Sequence, residues 1–192
     1  LLTCDPIKKN LQMNRFLYIL ISVVFFTSAC KTPEARKPIK TSSGSYIDYS
    51  VEKNKKMIAD EENDILEIIE NDSLNEYINS EQGFWYYFNN QTNLESEKAD
   101  FGDLIEFEYD VKDLNGNTIY SKEELGPQKY YTDKEELISG LRDGLKLLKE
   151  GETATFLFPS HKAYGYYGDL KKIGTNMPII STVTILNIEQ IN

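Results

Sequence analysis

An alternation of apolar and acidic residues within Leu104–Val111 (LIEFEYDV), strict from Ile105 onward, is the feature that most constrains how this chain can fold. One face of such a strand would carry the apolar side chains of Ile105, Phe107 and Tyr109. A period of two is typical of an antiparallel strand with one buried and one solvated face. Asn115-Gly116 follows, which is a strong signal for a tight turn, and Thr118–Tyr120 begins the return strand. The segment therefore predicts a β-hairpin.

More strands and one short helix accompany this hairpin. Apolar residues recur at helical spacing before a glycine stop, in the set Ile138, Leu141, Leu145, Leu148 and Gly151. Aromatic and β-branched runs predict strands over Phe84–Phe88, Thr153–Phe158 and Ile179–Ile188. The predicted fold class is α+β, with an antiparallel β-sheet wrapped around a short α-helix and preceded by a helical arm.

The segment before the strands predicts that helical arm. Apolar residues fall near helical spacing over residues 50–80, with carboxylates between them. Asn71-Asp72-Ser73 would divide the arm into two helices, with Ser73 capping the second. Residues 30–49 contain prolines, glycine and few large apolar side chains, so they predict a flexible linker. We expect residues 83–192 to form a domain that folds without the arm.

Residues 13–30 have the parts of a secretory signal. Met13-Asn14-Arg15 precedes an apolar run, Phe16–Phe26, that is shorter than the roughly 20 residues needed to span a bilayer. The ending Ala29-Cys30 resembles a lipoprotein signal, with simple secretion as the alternative. We expect residues 13–29 to be removed and Cys30 to be lipidated. The chain would then be anchored in the cell envelope on the periplasmic side of a membrane, which we expect to be the outer membrane. Residues 1–12 are interpreted as an upstream extension from a misplaced start.

Charge and composition exclude several classes of function. The formal net charge is −10, whereas a nucleic-acid-binding protein needs a basic face to neutralise phosphates. Cys4 and Cys30 both precede the expected domain, and His161 is the single histidine. These residues argue against a disulfide framework, a cysteine metal site and a nucleophilic triad. No nucleic acid, metal or cofactor is expected.

Four segments in the second half of the chain resemble peptidyl-prolyl cis-trans isomerases of the FKBP type. They are Phe101-Gly102-Asp103 leading into Glu106–Tyr109, Leu137–Gly151, Phe158–Gly165 and Asn176–Ile180. With the helical arm, the lipoprotein signal and Tyr164–Asp169, the chain resembles more narrowly the gliding-motility-associated FKBP-like lipoproteins of Bacteroidota. The resemblance implies rotation of X–Pro bonds in proline-containing protein substrates. It also implies a role in folding envelope or motility proteins, with envelope motility-complex proteins as partners.

The resemblance also implies a set of site residues. Tyr109 and Tyr164 match two pocket tyrosines of the family, and the hydroxyl of Tyr164 would bond a substrate carbonyl. Ile138 matches an isoleucine whose backbone amide also holds the substrate. These three residues are the expected catalytic residues, with packing alone as the alternative for the two tyrosines. The expected substrate-binding side chains are Ile119, Tyr120, Leu137, Leu141 and Ser181.

Several of these positions depart from the family pattern. Ile119 and Leu141 replace a Phe and a Trp of the pocket wall and floor, Tyr120 stands where the family has Asp, and Ser181 where it has Phe. A further pocket aromatic would be either Tyr130 or Tyr131. The departures predict reduced activity. They also leave open a second hypothesis, a weak or inactive FKBP-like binding module or chaperone in an envelope motility or secretion complex.

Overall fold

The computed structural model describes residues 43–93 and 96–191. The described residues from 44 onward form one compact unit, so the helical arm and the strands belong together. The upstream extension, the signal peptide, Cys30 and the first part of the linker lie outside the described residues. Among the described helices, none is long and apolar enough to cross a membrane.

The arm is a single helix, α1, over Ser43–Asn71. Its first half is exposed, and a stripe at helical spacing in its second half is covered, consisting of Met57, Ile58, Glu61, Ile65, Ile68 and Ile69. Two expectations were wrong here. The helix begins inside the predicted linker 30–49, and the arm predicted over 50–80 contains no second helix.

A turn built on Asp72 explains why helical structure stops. Its carboxylate accepts the backbone N–H of Leu74 at 2.9 Å, the side-chain amide of Asn75 at 2.8 Å and the hydroxyl of Tyr77 at 2.9 Å. These bonds satisfy the chain locally in a non-helical conformation. Ser73 therefore caps no helix, and the chain continues into strand β1, Ile78–Ser80.

The strands form one antiparallel sheet, which confirms the predicted fold class. After β1 come β2 Phe84–Asn90, β3 Leu104–Tyr109, β4 Val111–Lys112, β5 Thr118–Tyr120, β6 Gln128–Tyr131, β7 Thr153–Phe158 and β8 Ile179–Glu189. The sheet order is β1-β2-β7-β8-β3-β6, and the short β4 pairs with β5 and β8. Along β3 and β8 buried and less buried residues alternate, as a sheet with one covered face requires.

A short helix packs closely on the covered face. Two helices follow β5, namely α2, Lys122–Leu125, and α3, Ser139–Leu145. Gly140 and Gly144 of α3 face the rings of β7: a methyl group on Gly140 would lie 2.5 Å from Phe158, and one on Gly144 2.9 Å from Phe156. The two phenylalanine rings are stacked with centroids 5.4 Å apart. The glycines therefore allow α3 to lie directly on the aromatic core.

Helix α1 is fastened to this domain by a buried carboxylate. Glu61, only 7% exposed, accepts the backbone N–H and the hydroxyl of Ser160, both at 2.8 Å. Ile65, one turn along, is fully covered. Strand β1 pairs with β2, so the sheet itself starts at Ile78. The domain boundary expected at residue 83 is therefore wrong.

Candidate active site

Six of the expected site residues are partly buried side chains packed against the core, and we refer to them as the tyrosine patch. They come from the end of β3, from β5, from the segment entering α3 and from the turns after β7, and they are Tyr109, Ile119, Tyr120, Leu137, Ile138 and Tyr164. Tyr164 interacts electrostatically with Tyr109 and Tyr120. At the start of α3, the Ser139 hydroxyl donates to the carbonyl of Lys162, two residues before Tyr164, at 3.4 Å. The three tyrosines therefore lie near one another, and the roles expected for the six residues stay predictions.

Tyr109 and Tyr164 are joined through their hydroxyls. Tyr164 lies between two 3₁₀ turns, Ser160–Lys162 and Gly165–Tyr167. Burial raises the pKa of Tyr164, and its hydrogen bond to Tyr109 raises it further. Burial also raises the pKa of Tyr109, which the bond from Tyr164 partly offsets because Tyr109 accepts it. Both phenols therefore stay protonated near neutral pH, and Tyr164 keeps a proton that it can donate.

Ile138 stands at the start of α3. It is the N-cap residue of α3 (φ −55°, ψ 136°), and its carbonyl accepts the N–H of Arg142 at 3.0 Å. Within the described residues no acceptor takes the N–H of Ile138. A free amide at a helix start can bind a ligand carbonyl. The expected role of this amide in holding substrate stays a prediction that the geometry permits.

Tyr120 is engaged by a loop that the sequence did not connect with it. Its hydroxyl donates to the carboxylate of Asp169, and the ammonium of Lys172 lies 4.5 Å from its ring centroid. Lys172 also reaches Glu124 of α2 at 2.5 Å. Asp169 comes directly after Tyr-Gly-Tyr-Tyr-Gly in the chain, but nothing in that local pattern identifies Tyr120 as its partner.

Ser181 and Leu141 are buried below the patch. Ser181 is fully covered, and its hydroxyl donates to the carbonyl of Asp110 at 2.7 Å. It faces the core from β8, beside Val183 and Ile179, so the expectation that it binds substrate is wrong. Leu141 is 1% exposed, and its contribution to the pocket floor stays a prediction.

The alternative between Tyr130 and Tyr131 is decided by their opposite directions on β6. Tyr130 is 3% exposed and belongs to the core, while Tyr131 is 38% exposed. The hydroxyl of Tyr130 accepts the N–H of Asp133 at 2.9 Å. Of the two, Tyr130 is therefore the aromatic residue on the covered face, and its expected place in the pocket stays a prediction.

An open groove of about 760 Å³ lies elsewhere, between α1 and the turn of the β4–β5 hairpin. Its lining combines four carboxylates with a few apolar side chains and no aromatic ring; the acidic residues are Asp64, Glu67, Asp72 and Asp113. Such a polar, solvated groove does not suit a reaction that needs a dry wall. The tyrosine patch is the better candidate for the active site.

Comparisons with known proteins concern the part of the chain that contains these residues. Residues 95–186 match the family model of FKBP-type peptidyl-prolyl cis-trans isomerases. A probable FKBP-type isomerase of Neisseria meningitidis serogroup B, FkpA, is 35% identical over 88 residues, which are 45% of this chain and 31% of that protein. The chain thus spans under a third of that relative's length.

The fold agrees as well. A crystal structure of a peptidyl-prolyl cis-trans isomerase from Pseudomonas syringae pv. tomato superposes with a TM-score of 0.56 at 18% sequence identity. The match covers 71% of this chain and 96% of the other. At that identity the likeness establishes the shared fold.

Proposed function

We propose that this chain, whose residues 95–186 form a domain of the FKBP-type peptidyl-prolyl cis-trans isomerase family, catalyses rotation about X–Pro bonds in protein substrates. The observation that supports the proposal most is the interaction between the partly buried Tyr109 and Tyr164. The amide of Ile138, which no described acceptor takes, precedes Ser139, whose hydroxyl bonds the Lys162 carbonyl two residues before Tyr164. The family match alone gives the class of reaction, whereas the tyrosine patch gives residues that could perform it.

The reaction requires an apolar surface of suitable shape and no chemically reactive group. Rotation must overcome the partial double bond of the amide, a barrier of about 18–20 kcal/mol, and no covalent bond is made or broken. The twisted amide has lost resonance and charge separation, so an apolar wall favours it over the planar ground state. Such a wall is available in the side chains of Tyr109, Ile119 and Ile138.

Two hydrogen-bond donors would orient the peptide on this wall. The hydroxyl of Tyr164 can turn from Tyr109 to a substrate carbonyl, and it is protonated at neutral pH because burial raises the pKa of Tyr164. The amide of Ile138 would take a second carbonyl. No group has to gain or lose a proton, so we expect the rate of catalysed isomerisation to change little between about pH 6 and pH 8.

Replacing Tyr164 with phenylalanine tests this arrangement. The chain over residues 31–192 should accelerate a proline-limited refolding phase, which takes roughly 10–100 s uncatalysed at 25 °C. Tyr164→Phe removes one donor and should lower kcat/KM by about 3- to 10-fold, the value of one neutral hydrogen bond. Tyr49→Phe, which removes a hydroxyl from the exposed part of α1, should leave the rate unchanged. A slow phase untouched by high concentrations of wild-type chain would refute the isomerase proposal.

We further propose that the isomerase works in the cell envelope, on proteins of the envelope or of a motility complex. The apolar run Phe16–Phe26 before Ala29-Cys30 supports a lipid anchor on Cys30. Several acyl chains on one cysteine would hold the domain at a membrane where one chain would not.

Cys30→Ser should abolish labelling by radioactive palmitate and should shift the protein from the membrane fraction to the soluble or unprocessed form. Cys4→Ser is the matched control and should be labelled normally, because Cys4 precedes the signal. Normal labelling of the Cys30 variant would contradict the anchor.

A further inference from the structure

A carboxylate stands at the rim of the tyrosine patch, although Tyr120 occupies the position where the family resemblance led us to expect Asp. The carboxylate belongs to Asp169 and accepts the Tyr120 hydroxyl from 49 residues along the chain. We propose that Asp169 is a positioning residue of the active site, which holds Tyr120 and the loop 165–174 as a fixed wall beside Tyr164. The inference rests on the proposed isomerase function and adds a residue to it.

The Asp169 carboxylate bonds both Tyr120 and the backbone of the loop 165–174. One carboxylate oxygen takes the Tyr120 hydroxyl, and the other accepts the backbone N–H groups of Lys171 at 2.9 Å and Ile173 at 2.7 Å. The N–H of Asp169 itself donates to the Ile173 carbonyl at 3.2 Å. A single side chain therefore closes its own loop and ties that loop to β5.

The loop is tightly built around this carboxylate. Gly168 has φ +64°, and a methyl group there would lie 2.1 Å from the Ile173 carbonyl oxygen. The N–H of Asn176 bonds the Gly165 carbonyl at 2.9 Å and closes the base of the loop. Because the loop starts directly after Tyr164, its shape determines how that tyrosine enters the patch.

Lys172 makes a second set of contacts between the loop 165–174 and β5. Its ammonium lies over Tyr120, reaches Glu124 at 2.5 Å and donates to the Ile119 carbonyl at 3.3 Å. The loop thus contacts β5 and α2 through two residues of opposite charge.

The electrostatics connect Asp169 to Tyr164. Desolvation opposes the charge on Asp169, but the hydrogen bonds from Tyr120 and from the loop amides outweigh it and hold the pKa of Asp169 below its usual value. After burial and Tyr109, the negative charge of Asp169 is a further cause that raises the pKa of Tyr164. Asp169 is therefore close enough to Tyr164 to influence its hydroxyl.

The test compares Asp169→Asn with Tyr120→Phe and with the double variant. Each single change removes the same charge-assisted bond, so each should lower kcat/KM for an X–Pro peptide by about fivefold or more. The kcat/KM of the double variant should not fall below that of the less active single variant, because the second change has no further bond to remove. Asp113→Asn is the control, because Asp113 braces the β4–β5 turn by the same kind of bonds, to the N–H groups of Asn115 and Asn117, without contacting Tyr120. It should leave kcat/KM unchanged.

A measurement that does not depend on activity accompanies the kinetics. In protein labelled with ¹³C at the tyrosine Cζ atoms, the Tyr120 and Tyr164 resonances should both shift in Asp169→Asn and stay in place in Asp113→Asn. Wild-type kcat/KM in both single variants would overturn the inference. If the wild-type chain is inactive, the isomerase proposal fails by itself, and an unshifted Tyr164 resonance in Asp169→Asn would then overturn the positioning role as well.

Discussion

A chain that starts at Gly83 should be several kcal/mol less stable than one that starts at Ser43. The shorter chain loses α1, whose fully covered Ile65 alone is worth about 1.5–3 kcal/mol of burial. It also loses the carboxylate of Glu61, which takes the N–H and hydroxyl of Ser160. The truncation also removes strand β1, which pairs with β2, and the ring of Tyr77, whose centroid lies 4.9 Å from that of Tyr87. Chemical denaturation of the two chains measures the difference directly.

Intermediate forms separate these contributions. A chain that starts at Ser73 keeps β1 and Tyr77 but lacks α1, so its stability should fall between the other two. Within the longer chain, Glu61→Ala leaves two donors of Ser160 without their acceptor, at a cost of about 1–3 kcal/mol each where water does not reach them. Glu70→Ala, on the exposed side of α1, should change nothing. Equal unfolding midpoints for chains starting at Ser43 and Gly83 would show that α1 only rests on the domain.

The importance of α1 for the domain illustrates what the sequence alone could not provide. The stripe at helical spacing predicted the helix, but the partner of Glu61 lies 99 residues away, and no local pattern identifies it. A glutamate among other carboxylates is expected to be a solvated residue. Only the fold shows that this one is buried against a backbone N–H and a hydroxyl.

The predicted break at Asn71-Asp72-Ser73 is where α1 ends, but the second helix expected after it was wrong for a local reason. Tyr77 and Ile78 continue the helical spacing of apolar residues, which favoured a longer arm. Asp72 overrides that spacing because its carboxylate satisfies three donors within the next five residues. Side-chain bonds of this kind compete with the helix, and spacing alone does not reveal them.

The site could be predicted from the sequence to a different extent in local motifs and at positions that depend on strand register. Tyr109, Ile138 and Tyr164 lie in segments that carry their own resemblance; all three are partly buried against the core, and their expected roles stay predictions. Ser181 was assigned by position along β8, although the alternation with Ile179 and Val183 already indicates the core face. The Tyr120–Asp169 contact joins two loops and could not be read from either.

The close contact between α3 and β7 leads to the last prediction: Gly140→Ala should destabilise the protein. In an exposed helix, alanine in place of glycine gains about 1 kcal/mol from propensity. At Gly140 the added methyl group would lie 2.5 Å from the ring of Phe158 and 2.8 Å from the carbonyl oxygen of Lys162. Overpacking of this kind costs about 1–3 kcal/mol and rises when the neighbours cannot move. The clash should therefore exceed the gain in propensity.

Neither neighbour has room to move. The Phe158 ring is stacked on Phe156 at 5.4 Å and meets Phe84 edge-on at 5.3 Å, and the Lys162 carbonyl is main chain. Gly174→Ala is the matched control, because nothing lies within 4 Å of a methyl group there. Thermal unfolding should show a lower midpoint for Gly140→Ala, by about 2–4 °C per kcal/mol in a domain of this size, and no loss for Gly174→Ala. A midpoint for Gly140→Ala at or above that of the wild type would mean that α3 can withdraw from β7 without cost, and the close contact would then not be what fixes this helix on the sheet.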